Sequence, residues 1–257
     1  MDRVGEKEGV LLVRFKSNHH DFPEVEMNAL LRLVPGLHQL SLGIVNVFLL
    51  EHDSSLVLID TGVAGSEDVI LNAVRTLGHT PTDVHHIIVT HFHPDHSGSL
   101  AALKVVTGAR VYMHPLDAVL VQEGRWRERP MTAAPGLEAI FERVVAAPQS
   151  FPHTAQVDEH LTPGETLPFA GGLTVVAAPG HSAGQVALWW PKHGGVLFAA
   201  DAMGNTQGLH DPILFEDLEL GRATQRALAA LEFEVATFGH GDAIRQGAAQ
   251  LIRQHWG

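Results

Sequence analysis

The chain has 257 residues, enough for one large domain or two small ones. Its 17 basic against 29 acidic residues, a net charge of −12, argue against an extended nucleic-acid surface, which needs clustered Lys and Arg. Cysteine is absent, which excludes disulfides and thiolate metal ligands. No apolar leader precedes a cleavage site and no uncharged run is long enough to span a bilayer, so a cytoplasmic protein without membrane contact is expected.

Residues 1–33 are mixed. A short strand is expected at Val10–Val13, and Asn18-His19-His20-Asp21 and Pro23 interrupt regular structure after it. This N-terminal extension would dock on the domain or help to pair two subunits as a homodimer. His19 and His20 read as a solvated turn. The runs at 37–40, 45–50 and 56–59, separated by Gly43 and Asp53-Ser54-Ser55, read as an antiparallel meander ending in Asp60-Thr61-Gly62. Asp60 is a carboxylate at a buried strand end, fit to brace a neighbouring loop or to be an ordinary turn residue.

Ser66 is placed to cap a helix with Glu67 and Asp68 in its first turn. Val69, Ile70, Ala73, Val74 and Leu77 form its apolar face, and Gly78 stops it. His79, His85 and His86 read as surface residues. Ile87-Ile88-Val89 then reads as a buried strand leading into Thr90-His91-Phe92-His93-Pro94-Asp95-His96-Ser97-Gly98. His91 and His93, two apart, can both turn inward from a strand end. Pro94 redirects the chain, so Asp95 and His96 can face a second point nearby. Imidazole and carboxylate together suit zinc, iron or manganese. With 18 His in the chain, a solvated His-rich loop is the plain alternative.

A helix over 100–106 closed by Gly108 and a strand over 110–113 come next. His114 then either lines a pocket or caps a helix. Residues 124–160, with Pro130, Pro135, Pro148 and Pro152 and the apolar Trp126, Met131, Phe141 and Phe151, suit either a lid or substrate wall or plain packing. Arg125, Arg127 and Arg129 would meet an anionic substrate or form a solvated charge run. Strands at 173–177, 186–190 and 196–198 make a second meander with glycine turns. A helix over 222–231, a strand over 235–238 and a closing helix carrying Ile244, Ala248, Leu251 and Ile252 complete the chain.

The His-x-His-x-Asp-His loop resembles that of the metallo-β-lactamase superfamily, and the resemblance spans about residues 34–257. That family's pattern needs three more ligands on strand-end loops. His181 in Pro179-Gly180-His181-Ser182, Asp201 in Phe198-Ala199-Ala200-Asp201 and His240 in Phe238-Gly239-His240-Gly241 match them in order. The resemblance implies an α+β fold, a four-layer αββα sandwich, occupying 34–257 as one domain. It further implies two divalent metal ions, zinc in the first place with iron or manganese as alternatives. His91, His93 and His181 would hold one ion, Asp95, His96 and His240 the other, and Asp201 would bridge them. Asp95 would also orient a hydroxide shared between the ions and pass a proton to the leaving group.

Departures from subfamilies narrow the activity that the resemblance implies. True lactamases of this fold generally lack the bridging Asp, present here as Asp201. Hydroxyacylglutathione hydrolases add a C-terminal helical domain, whereas this chain ends shortly after His240. Acyl-homoserine lactonases place a Tyr soon after the bridging Asp, and the single tyrosine here is Tyr112. The acidic balance and lack of a basic arm disfavour the tRNA-processing nucleases. The expectation is a dinuclear hydrolase acting on a small-molecule thioester, lactone or other ester. The alternative is a persulfide dioxygenase-like oxidoreductase, with one iron on His91, His181 and Asp201.

Overall fold

In the strands nearest the site, both faces carry apolar side chains, and the alternation assigns each face to a different layer. The computed structural model describes residues 3–7, 10–13, 29–146 and 154–257. The turn expected around His19 to Pro23, and Pro148, Phe151 and Pro152, lie outside the described residues. The first sheet takes eight strands in sequence order. They are β1 (Arg3–Lys7), β2 (Val10–Val13), β3 (Ala29–Val34), β4 (Leu37–Ser41), β5 (Asn46–His52), β6 (Ser55–Ile59), β7 (Val84–Ile88) and β8 (Arg110–Met113). Thr132–Ala133 (β9) leaves this sheet, and Glu159–His160 (β10) returns to it as a ninth strand parallel to β8. The second sheet holds β11 (Thr166–Leu167), β12 (Leu173–Ala177), β13 (Val186–Trp190) and β14 (Val196–Phe198). Leu214–Phe215 (β15) pairs with β9 as a separate ribbon, and β16 (Val235–Thr237) completes the second sheet beside β14.

Among the described residues there are seven α-helices: α1 (Glu67–Thr76), α2 (Pro94–Ser97), α3 (Leu100–Thr107), α4 (Pro115–Glu123), α5 (Glu138–Ala146), α6 (Leu218–Ala229) and α7 (Ala248–Trp256). On β5 and β6, Val47, Leu49, Leu56 and Leu58 pack against Ile70 and Val74 of α1, Leu103 of α3 and Leu120 of α4. Phe48, Leu50, Val57 and Ile59 point the other way, into a core shared with Val175, Leu188, Val196 and Phe198 of the second sheet. On that sheet Ala187, Leu197 and Ala236 face outward onto Leu228 of α6 and Ile252 of α7. Three apolar interfaces between helix, sheet, sheet and helix make the four-layer αββα sandwich. Each fully buried Leu or Ile in them contributes roughly 1.5–3 kcal/mol of burial free energy.

Three expected elements differ in detail. Ser66 precedes α1 in helical backbone and makes no capping bond; its N–H is bonded to Ser99 Oγ at 2.9 Å, and Glu67 and Asp68 are left to complement the helix dipole. Helix α6 begins four residues earlier than the apolar pattern suggested, because Asp217 accepts the Leu220 N–H at 2.9 Å as its cap. Ile244 lies outside α7 and forms an isolated bridge with Ala236.

Strand direction places the site. β6, β7 and β8 run parallel to one another. In the second sheet β12, β14 and β16 share one direction, since β13 is antiparallel to its neighbours and β16 is parallel to β14. Loops leaving the C-terminal ends of these strands meet at one edge of the sandwich. Backbone bonds from Val186 N–H to Thr90 O (3.0 Å) and from Asn46 N–H to Gly239 O (2.8 Å) stitch the two sheets there.

Candidate metal centre

All seven residues singled out in the sequence converge at this edge. His91, His93, His96, His181 and Asp201 are buried, and Asp95 and His240 are partly exposed. Ligand-capable atoms fall into three groups, each within 4.8 Å: His91–His93–His181, Asp95–His96–His240, and His91–His96–Asp201 between them. His93 Nδ1 lies 3.1 Å from His91 Nε2 and 2.8 Å from His181 Nε2. Asp201 reaches both sides, with Oδ2 3.5 Å from His181 Nε2 and 3.1 Å from His240 Nε2, and Oδ1 3.3 Å from His96 Nε2. Asp95 Oδ2 lies 3.3 Å from His240 Nε2.

Acceptors outside the cluster assign which ring nitrogens carry protons. His96 Nδ1 donates to Asp60 Oδ2 at 2.9 Å, His181 Nδ1 to the Leu214 carbonyl at 2.9 Å, and His240 Nδ1 to the Ile44 carbonyl. Thr90 Oγ1 spends its proton on Asp60 and accepts from His91 Nδ1 at 3.1 Å. When these rings are neutral, His91, His96, His181 and His240 each turn a lone pair at Nε2 inward, and His93 meets His91 and His181 through Nδ1. Five imidazole nitrogens and two carboxylates therefore face one another, and His96 Nε2 and Asp201 Oδ1 are buried without a hydrogen bond. Groups packed this way need positive charge among them, from protons on His96 and His240 or from metal, and imidazole with carboxylate is a donor set that fits divalent ions.

The electrostatics divide along the same line. Burial, reinforced by neighbouring imidazoles, holds His91 well below the usual histidine range and His93 at about 3; burial likewise depresses His181. Burial also opposes charge on His240, yet Asp201 and Asp95 outweigh it and hold that ring at about 10. The carboxylates of Asp95 and Asp201 stay below their ordinary range despite burial, because His96 and His240 face them. One side is a neutral nitrogen cluster, and on the other the carboxylates of Asp95 and Asp201 are balanced by the raised His96 and His240 rings, whose protons a bound cation would displace.

Backbone conformation aims these groups. Asp60 and Ala200 adopt left-handed backbone at φ 60° and 48°, a conformation costing roughly 1–2 kcal/mol for an L-residue. Asp60 recovers this by accepting from Thr90 N–H and Oγ1 at 2.8 and 2.9 Å as well as from His96. Ala200 turns the chain so that Asp201 enters the cluster.

Several residues bracing the site carried no motif. Asn46 Nδ2 donates to the carbonyls of Phe238 (3.1 Å) and Gly241 (2.7 Å), gripping the His240 loop. Asp117, Arg127 and Glu216 form an ion network behind the His93 and His181 loops. One polar residue inside an apolar run, Asn46 before Val47-Phe48-Leu49 and Asp117 before Ala118-Val119-Leu120, is the signal by which sequence reading can find such residues. Arg127, expected at an anionic substrate or in solvent, is instead paired with these two carboxylates. Arg125 pairs with Glu123. His114 caps α4, accepting the Leu116 N–H at 3.3 Å. The segment from 124 packs beside the ligand loops, with the Trp126 ring 5.7 Å from Phe92 and 6.0 Å from His93. Its β9 pairs with β15, whose Leu214 holds His181. His86, expected at the surface, is half-buried and stacks on Phe169 at 3.9 Å.

The family model described as the metallo-beta-lactamase superfamily matches residues 40–240. The probable metallo-hydrolase YflN of Bacillus subtilis is 30% identical over 229 residues, covering 80% of this chain and 84% of that protein. The thioesterase pkgB of Emericella nidulans is 28% identical over 201 residues, covering 77% of this chain. The chain spans 46% of pkgB, and 61% of a further Bacillus subtilis relative, YobT, which is 33% identical over 161 residues and 62% of this chain. Among solved structures, a metallo-beta-lactamase family protein of Thermus thermophilus superposes with a TM-score of 0.65 at 25% identity, covering 87% of this chain and 79% of that one.

Proposed function

The chain belongs to the metallo-beta-lactamase superfamily, and we propose that it is a hydrolase of small thioesters, lactones or other esters that holds two divalent ions, zinc first among them. The observation that carries this reading is the convergence of five imidazole nitrogens and two carboxylates in three overlapping groups at one edge of the sandwich. His91, His93 and His181 would hold one ion, Asp95, His96 and His240 the second, and Asp201 would touch both. Bound there, the ions would lower the pKa of a water from ~15.7 towards ~7 and polarise the substrate carbonyl.

The chain's own residues divide the remaining work. The Asp95 side chain is 29% exposed and that of Asp201 6%. Asp95 is therefore the carboxylate open to substrate, able to take a proton from the attacking water and hand it to the leaving oxygen or sulfur. Asp201 is enclosed and holds position. Trp126 and β9 form one wall beside His93 and His181, limiting water on that side. A relative named as a thioesterase supports the acyl substrate class. The second cluster of Asp95, His96 and His240 favours the hydrolase over the single-iron oxygenase expectation.

Elemental analysis of the purified protein with an esterase, lactonase and thioesterase panel tests this. Two ions per chain and turnover of one acyl class are expected. One iron per chain with oxygen uptake on glutathione persulfide would replace the proposal with the oxidoreductase.

A further inference from the structure

The cluster His91–His93–His181 is built from two loops that belong to different sheets, and Asp117 is a side chain that bonds to both. It sits on α4, fully buried. Its Oδ2 accepts the N–H of Phe92, the residue between two ligands, at 3.0 Å, and also the Ser182 hydroxyl directly after the third. Its Oδ1 accepts the Gly184 N–H at 2.9 Å and the Arg127 guanidinium. Arg127 in turn donates through Nε to Glu216 Oε1 at 2.9 Å, and Glu216 Oε2 accepts the Ala183 N–H at 2.8 Å. The guanidinium carbon lies 5.6 Å from the Phe92 ring centre.

We propose that Asp117, neutralised by Arg127, is a positioning residue that sets the spacing of the His91–His93 loop and the His181 loop, and so the affinity of the first ion. The inference rests on the metal-centre reading above. A hydrophobic packing contact tolerates small shifts of one loop against another, whereas four directed bonds to one enclosed carboxylate do not. No room is left for slack: a Cβ on Gly184 would strike the Asp117 carboxylate, with Cγ only 2.6 Å away. Arg127 keeps the carboxylate charged in a dry setting and extends the clasp to the segment bearing Trp126. The second cluster, Asp95–His96–His240, has no bond to Asp117, Arg127 or Glu216 among the described residues, so it escapes the clasp.

Cobalt(II) titration of metal-stripped protein, monitored by visible absorption, is the test, with circular dichroism and thermal unfolding of the same stripped samples as the control for folding. The parent should take up two equivalents and His240→Ala one tight equivalent. Asp117→Asn should weaken one of the parent's two equivalents about 10- to 100-fold, and combined with His240→Ala should leave no tight binding. Arg127→Met should act in the same direction, and Arg127→Lys, which keeps a cation against Asp117, should recover most of the loss. Two equivalents at parental affinity in both Asp117→Asn and Arg127→Met would overturn the positioning role. So would loss of folding in both, which would make the network a stability device only. A parent that binds no cobalt would instead overturn the metal-centre reading itself, and this inference with it.

Discussion

The carboxylate of Asp60 accepts the Nδ1–H of His96 at 2.9 Å, with His96 enclosed in the centre and Asp60 at the end of β6. The same carboxylate accepts from the backbone and hydroxyl of Thr90, which orients His91. One residue thus sets the tautomer of a ring in each half of the cluster. Asp60→Asn loses the charge and leaves the two donors of Thr90 competing with His96 for one carbonyl oxygen. Metal affinity should fall about 10- to 100-fold, read by competition with a chelator dye. Unchanged affinity would mean that Asp60 only terminates its strand.

Asp201 and His240 should separate on substitution. Asp201 approaches His181, His96 and His240, whereas the ion pairs of His240 are with the carboxylates of Asp95 and Asp201. Asp201→Ala should lower occupancy of both ions, and His240→Ala should empty mainly the second. Retention of two ions and near-normal turnover in Asp201→Ala would remove it from the bridging position.

Gly239 is required by proximity. A Cβ there would collide with Asp201 Oδ1 and lie 2.7 Å from His96 Cε1. Gly239→Ala should displace both side chains, cutting metal content at least as strongly as His240→Ala. Overpacking of this kind typically costs about 1–3 kcal/mol, which a denaturant melt of the metal-free variant would read. Parental metal content would show that the loop relaxes freely.

Trp126 tests the wall. Its ring stands against Phe92 and His93 and is only partly buried on the first core. Trp126→Ala should raise KM for an acyl substrate while two ions remain bound. Kinetics unaltered on every accepted substrate would place this side chain outside the substrate path.

His86 gives a pH prediction independent of the metals. Burial, then the neighbouring His52 and His85, lower its pKa from 6.5 to about 4. The folded state therefore favours the neutral ring. Its contribution is intact above pH 6.5 and is lost as pH falls towards 4, where the unfolded chain binds the extra proton. Because the ring is only partly buried, the effect is discounted to about 1 kcal/mol. His86→Phe should stabilise relative to the parent more at pH 5 than at pH 8, by thermal unfolding. An equal difference at both pH values would refute it.

Local pattern alone determined a large part of this protein. The near-continuous apolar runs at 45–50, 56–59, 186–190 and 196–198 are a property of neighbouring residues, and they already suit strands that pack on both faces. The spacing of His91, His93, Asp95 and His96 likewise forces several donors towards one point, because a strand end and Pro94 leave the chain few other directions. What the tertiary structure decided is which distant groups these donors meet. Asp117 lies 25 residues from Phe92 and 67 from Gly184, and Asn46 lies 192 from Phe238. Nothing in the local sequence encodes such partners. Arg127 read as a substrate contact or a solvated charge because it alternates with Arg125 and Arg129 around Trp126, and His86 as a surface residue because it lies with His79 and His85 outside the ligand motif. Each was turned inward by a layer contributed from elsewhere in the chain: Asp117 and Glu216 for Arg127, Phe169 for His86. Burial belongs to the packed layers, and only their assembly shows which polar residues are enclosed and by what.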